Sequence, residues 1–185
     1  MKKVIGITGS IGSGKSYAVE KFKEICEKKY IDAFFIDVDE VRRNILKKEN
    51  VDRKELNNKI YLNELEMKKY KEYINPKIRE YLTNQINMNN SFIFIEWALL
   101  LEDEFYDLVD SIIMIDCTQD IQIKRLQKSS LNKEEIIRRM NLQMSNKEKI
   151  EKIKRLEKEF FILEVSYNPQ IKEYENLLKK VGLYE

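Results

Sequence analysis

The eight residues Gly9-Ser10-Ile11-Gly12-Ser13-Gly14-Lys15-Ser16 match the pattern G-x-x-x-x-G-K-[S/T], whose residue types suit the binding of a polyphosphate. Glycine lets successive backbone N–H groups turn inward around an anion, and a following helix N-terminus adds partial positive charge at the same point. In that arrangement Lys15 meets the β- and γ-phosphates of a nucleoside triphosphate and the Ser16 hydroxyl ligates Mg²⁺. Context supports this reading. The apolar run Val4-Ile5-Gly6-Ile7 precedes the glycines and Tyr17-Ala18-Val19-Glu20-Lys21-Phe22 follows, so strand, loop and helix come in the required order. Four of the five glycines, Gly6, Gly9, Gly12 and Gly14, lie in the first fourteen residues, a concentration that an ordinary glycine-rich turn does not need.

Two further apolar runs end in acids. Ile36-Asp37-Val38-Asp39 closes one and leads into the helical Glu40–Leu46; Phe92-Ile93-Phe94-Ile95-Glu96 closes the other. Ligands of an open parallel sheet lie beyond the carboxyl ends of its strands, so all three carboxylates should face the triphosphate. Either Asp37 or Asp39 could accept a proton from an acceptor hydroxyl while the other holds metal-bound water; a plain helix cap is the competing reading of Asp39. Glu96 resembles a Walker B carboxylate, and for Glu102 a surface glutamate is the competing reading. Arg125, with Arg138 and Arg139 beyond it, could neutralise phosphoryl oxygens or stack on adenine. Against that stands the usual role of arginine as a solvated surface residue.

The elements that must position these groups read as a three-layer α/β/α fold with a five-stranded parallel sheet. Besides the first strand, Ala33–Ile36, Phe92–Ile95, Ile112–Ile115 and Phe160–Leu163 are continuously apolar, as strands covered on both faces are, and charged helical stretches separate them. Between Leu46 and Ser91 the composition turns to Lys, Asn, Glu and Tyr, with Ile60, Leu62, Leu65, Met67, Tyr70, Tyr73 and Ile74 at helical spacing. Roughly 45 residues exceed what one crossover helix needs, so this reads as a helical insertion walling a cleft, with Pro76 separating two helices. From Leu131 to Glu159 a charged helical stretch occupies the place of a mobile lid; i,i+4 pairing on a solvated face accounts for most of its charges. The expected layout is one domain over 1–185: core 1–47, 91–128 and 158–185, insertion 48–90, lid 129–157.

Composition limits the chemistry. The chain has 185 residues, enough for one domain with a substantial core. Its 34 basic and 32 acidic residues are interspersed, giving +2 and no dedicated nucleic-acid surface. Histidine is absent, which excludes Ser-His and Cys-His nucleophile pairs and histidine-held metals; phosphoryl transfer, mostly positioning and charge neutralisation around Mg²⁺, suits such a chain. Cys26 and Cys117 form no C-x-x-C motif and read as reduced core thiols. Lys2-Lys3 and the short apolar run after them do not make a signal peptide, because the glycine loop interrupts the run; no run approaches transmembrane length. The expectation is a cytoplasmic protein.

Taken in order, these segments resemble the dephospho-CoA kinase family over nearly the whole chain. Ile5–Ser16 resembles the family's opening, and Ile36-Asp37-Val38-Asp39-Glu40-Val41-Arg42-Arg43 is similar to its D-A-D-x-[I/V]-A-R element. Val51-Asp52-Arg53-Lys54-Glu55-Leu56 resembles D-R-x-x-L, Asn75-Pro76-Lys77-Ile78-Arg79 resembles H-P-x-I-R, and Ala98-Leu99-Leu100-Leu101-Glu102 resembles P-L-L-F-E. Gln122-Ile123-Lys124-Arg125 and Arg139-Met140-Asn141-Leu142-Gln143 are similar to its Q-x-x-R and R-[I/M]-x-x-Q lid motifs. Asn75 stands for the family's histidine, Ala98 for its proline, Tyr17 for its threonine and Ser10 for a common glycine.

The resemblance implies that ATP donates its γ-phosphoryl group to the ribose 3′-hydroxyl of dephospho-CoA in a monomer that needs Mg²⁺ and binds neither nucleic acid nor membrane. It implies Asp39, Lys15 and Arg139 as catalytic, and an ATP site of Gly9, Ile11, Gly12, Ser13, Gly14, Lys15, Ser16, Tyr17, Arg139 and Asn168. Asp37, Arg42, Arg79, Leu99 and Glu102 would contact the acceptor, and Ser16 and Glu96 the metal. Three rivals share parts of this pattern. A kinase of another small acceptor, such as a nucleoside monophosphate or a shikimate-like compound, would share loop, metal and lid, and a binding-only relative would share the loop. A GTP-driven switch would need D-x-x-G, yet beyond Gly14 only Gly182 remains and Lys179 holds the aspartate position; Asn132-Lys133-Glu134-Glu135 only imitates N-K-x-D.

Overall fold

The computed structural model describes residues 2–52, 56, 64–128 and 132–185. Arg53, Lys54, Glu55, Ile60, Leu62 and the lid's first residues, 129–131, lie outside the described residues. Five parallel strands form one sheet: β1 (Lys3–Thr8), β2 (Ala33–Asp37), β3 (Phe92–Glu96), β4 (Ser111–Asp116) and β5 (Glu159–Glu164), in the order β2-β3-β1-β4-β5. This is the five-stranded parallel architecture expected from the sequence. Register carries the acids to one edge: Asp37 lies opposite Glu96, Glu96 opposite Ile7, and Asp116 opposite Glu164.

Alternation along each strand divides the core between the two faces. Val4, Ile36, Ile93, Ile95, Ile112 and Met114 pack on one side with helix α2 (Val38–Lys48) and helix α3 (Glu64–Met88). Ile5, Ile7, Phe94, Ile113, Ile115 and Leu163 pack on the other with helix α1 (Lys15–Lys28) and helix α7 (Ile171–Lys180). Helix α4 (Gln119–Leu126) leads from β4 toward the segment expected as a lid, where the described residues form α5 (Lys133–Asn141) and α6 (Asn146–Lys154). Ile153 of α6 is fully buried in the first of the two cores, so the second helix of that segment is anchored there.

One local expectation is revised. Pro76 does not separate two helices; it sits inside the single 25-residue α3. Proline costs a helix interior about 3 kcal/mol, whereas burying an aliphatic side chain stabilises by about 1.5–3 kcal/mol. Ile74, Ile78 and Leu82 are all buried around it, so tertiary packing outweighs the local penalty. The N-K-x-D look-alike has a structural role: Asn132 caps α5, its Oδ1 accepting the Glu135 N–H at 2.8 Å.

Candidate active site

The phosphate-type loop joins β1 to α1 and is held from outside. Gly12 and Gly14 adopt φ of 75° and 101°, the left-handed region that glycine enters at little cost. A Cβ on Gly9 would lie 2.5 Å from the Ile115 carbonyl oxygen, and one on Gly12 3.0 Å from that of Gln122. Arg125 then ties down the outward-facing carbonyls, Nη1 donating to Ser13 O at 2.7 Å and Nη2 to Val165 O at 3.0 Å. Sequence reasoning offered Arg125 to phosphate or adenine; both donor nitrogens engage main-chain oxygens instead.

Lys15 Nζ donates to Gly9 O at 2.9 Å and Ser10 O at 3.2 Å. Burial lowers its pKa to about 8, partly opposed by the nearby Glu96 carboxylate. Ser16 Oγ donates to Glu96 Oε1 at 2.8 Å. Desolvation at the end of β3 raises the Glu96 pKa, and the Ser16 hydrogen bond opposes that shift. A hydroxyl and a carboxylate of this kind are hard oxygen donors, the class that Mg²⁺ prefers. Among the described residues no cluster of three His, Cys, Asp or Glu is placed to hold a metal ion.

Asp37 and Asp39 have separate tasks. Asp37 caps α2, its Oδ1 accepting from Asp39 N at 2.8 Å and Glu40 N at 3.1 Å, and its Oδ2 lies 3.5 Å from Arg43 Nη2. The cap is therefore Asp37, which leaves the Asp39 carboxylate to project into a cleft of about 390 Å³, 3.0 Å from Arg42 Nη2. That cleft brings together Ile11, Gly12, Lys15, Ser16, Asp39, Arg42, Glu96, Leu99 and Arg139, with α3 as its far wall. Arg139 Nη2 is paired with Glu135 at 2.6 Å, while its buried Nε has no hydrogen-bond partner.

Other residues named from the sequence stand outside the cleft. Arg79 pairs with Asp107 at 2.7 Å over the Phe105 ring, beside a shallower depression of about 620 Å³ that shares Met67, Lys71, Asn75 and Asp103 with the cleft. Tyr17 is 60% exposed, and Asn168 is exposed in the turn after β5 with φ of 48°. Gly9, Ser13 and Gly14 shape the loop rather than line the cleft. Glu102, offered to the acceptor, is taken up by Lys149, whose Nζ reaches both of its carboxylate oxygens at 2.6 Å.

Two residues near the loop, Asn146 and Lys149, were missed from the sequence, and Gln143 was read only as part of the lid motif. Gln143 Oε1 accepts the Ile11 N–H at 2.9 Å, and Asn146 Oδ1 accepts that of Ser10 at 3.0 Å. Lys149 is fully buried, which lowers its pKa against the raising effect of Glu102. Its place in a run of surface charges gave no periodic signal of burial.

Comparison with known proteins shows the family and the fold. The family model for dephospho-CoA kinase matches residues 3–156. A protein of Rickettsia bellii named dephospho-CoA kinase is 32% identical over 160 residues, covering 80% of this chain and 83% of that protein. One of Bacillus licheniformis with the same name is 28% identical over 169 residues, covering 80% and 84%. Among solved structures, TT1252 from Thermus thermophilus superposes with a TM-score of 0.79 at 21% identity, covering 97% of this chain and 96% of that one. Shikimate kinase from Acinetobacter baumannii in complex with shikimate gives 0.58 at 12% identity, covering 98% and 93%. The two superpositions speak for the fold, and the family model and the relatives for descent: the chain belongs to the dephospho-CoA kinase family.

Proposed function

We propose that the chain transfers the γ-phosphoryl group of ATP to the ribose 3′-hydroxyl of dephospho-CoA, giving CoA and ADP, the last step of coenzyme A synthesis. The observation that carries this reading is the single cleft faced by Lys15, Ser16, Asp39 and Arg139. The core supplies the donor site, α3 of the insertion supplies the acceptor wall, and the lid closes over the phosphates.

The amides of Gly12, Gly14 and the first turn of α1 hold the β-phosphate. Lys15 moves from the Gly9 and Ser10 carbonyls to the transferring group. Ser16 and Glu96 would hold Mg²⁺, which when bound neutralises charge on the β- and γ-oxygens. Asp39 accepts the proton of the 3′-hydroxyl as the new O–P bond forms and the bond from Pγ to the β,γ-bridging oxygen breaks, with ADP leaving. Arg42, 3.0 Å from Asp39, orients that carboxylate and meets the acceptor. Arg139 brings its unpartnered Nε to the equatorial oxygens. In this reading Asp37 contributes indirectly, by starting α2 where Asp39 reaches the cleft.

No helix among the described residues is long and apolar enough to cross a membrane, and both cysteines are free and buried. The free thiols suit a reducing compartment, and the proposed reaction takes ATP and dephospho-CoA as its small-molecule partners. The test is a panel of dephospho-CoA, adenosine, nucleoside monophosphates and shikimate, each with ATP and Mg²⁺, with the phosphorylated position assigned by NMR. Selective 3′-phosphorylation of dephospho-CoA is expected; its absence, or faster turnover of another acceptor, overturns the proposal.

A further inference from the structure

A fully buried cation of the lid segment takes no part in the reaction as proposed. Lys149 is fully buried, and its Nζ is within 2.6 Å of the Ala98 carbonyl oxygen and of both Glu102 carboxylate oxygens. Glu102 also accepts the Met144 N–H at 2.9 Å. Ala98 and Glu102 belong to the segment after β3, whereas Met144 begins the turn into α6. Four hydrogen bonds therefore fasten the lid's hinge to the shoulder of the sheet. The same hinge grips the phosphate loop: Ser10 Oγ donates to Met144 O at 2.9 Å, and Gln143 and Asn146 accept the Ile11 and Ser10 amides. Arg139 is four residues upstream of Gln143, on the helix that this hinge holds.

We infer that Lys149 is a positioning residue for phosphoryl transfer: with Glu102 it latches the lid hinge, and the latched hinge sets both the outer turn of the phosphate loop and the reach of Arg139. The inference rests on the proposed kinase reading for its kinetic arm only. An ion pair is a costly way to secure a hinge, since apolar residues of similar volume commonly stabilise as well or better when a buried pair is replaced. A pair whose hydrogen bonds join two separate chain segments, 98–102 and 144–149, fixes direction as well as contact, which apolar packing does not.

The test uses the doubly substituted Lys149→Met/Glu102→Leu chain, which fills the volume without leaving a lone buried charge, and the near-isosteric Glu102→Gln. Leu178→Ala, in the core beneath α7, serves as a control for lost stability alone. The double variant is expected to melt close to the parent while kcat/KM for ATP falls roughly 10- to 100-fold, the scale of a small misplacement of catalytic groups; Leu178→Ala melts lower and keeps its kcat. In Glu102→Gln, hydrogen exchange at the Met144, Ser10 and Ile11 amides is expected to quicken roughly tenfold with strand amides unchanged. Double-variant kinetics within twofold of the parent, or unchanged exchange at those three amides, overturns the latch. If the parent itself does not phosphorylate dephospho-CoA, the kinase reading fails, and the exchange measurement still decides the latch.

Discussion

Lys15 combines a required positive charge with a pKa brought down to about 8 by burial, and this makes nucleotide affinity depend on pH in a calculable way. Only the ammonium form attracts the phosphates. With a pKa of about 8, its share falls from about nine-tenths at pH 7 to one-half at pH 8 and one-tenth at pH 9. Bound phosphate raises that pKa, so the loss belongs to the free protein. The dissociation constant for ATP should therefore rise about tenfold between pH 7 and pH 9. Titration calorimetry with a non-hydrolysable ATP analogue reads this directly, and Lys15→Arg, whose guanidinium stays charged throughout, should remove the pH dependence whatever its absolute affinity. An affinity flat across that range in the parent refutes the reasoning. The stability consequence has a definite sign. Because the folded pKa lies below the ordinary 10.5, the unfolded chain binds more protons between about pH 8 and 10.5, and stability attributable to Lys15 rises with pH across that window. Below about pH 8 the cost of the buried charge is fully present. Comparison of urea midpoints for the parent and Lys15→Met at pH 7.5 and pH 10 checks this: the gap in favour of the variant should narrow at the higher pH.

Other outcomes follow from the same geometry. Asp39→Asn should lower kcat by roughly 10²- to 10⁴-fold with ATP affinity nearly intact, measured by steady-state kinetics beside equilibrium dialysis; unchanged turnover would remove Asp39 as the base. Glu96→Gln should raise the Mg²⁺ concentration needed for half-maximal rate roughly tenfold, as a magnesium titration would reveal. Gly9→Ala puts a methyl group 2.5 Å from the Ile115 oxygen, a main-chain atom with little room to move. The expected cost is about 1–3 kcal/mol of stability together with weakened ATP binding, read by chemical denaturation and calorimetry.

Much of the fold was legible because its determinants are local. The five strands announce themselves as unbroken apolar runs, and each extends by a residue or two in the structure, β2, β3 and β4 into the acid that follows. The phosphate loop was legible because glycine spacing and strand-helix context are both encoded within some twenty residues. Pro76 was misread because the burial of Ile74, Ile78 and Leu82 is a tertiary fact that no window along the chain contains. The helix cap was offered to Asp39 for a related reason. Either aspartate suits that role by type, and only the backbone, extended at Asp37 with φ of −87°, decides which one starts α2. Lys149 was hidden most completely. It lies among residues such as Lys147 and Glu148 that are exposed, and its partner Glu102 is 47 positions away.

The bracing of the loop by Arg125 also bears on how a nucleotide is received. A run of peptide units has two polar edges, and a charged donor pinned to the oxygen edge turns the nitrogen edge toward the cavity before any guest arrives. The anion then meets a cradle already set in shape and needs little of its binding energy to impose order. Shortening residue 125 would leave the phosphate-facing groups untouched in identity and slacken them in motion, so its signature in calorimetry would be a less favourable binding entropy more than a lost contact enthalpy.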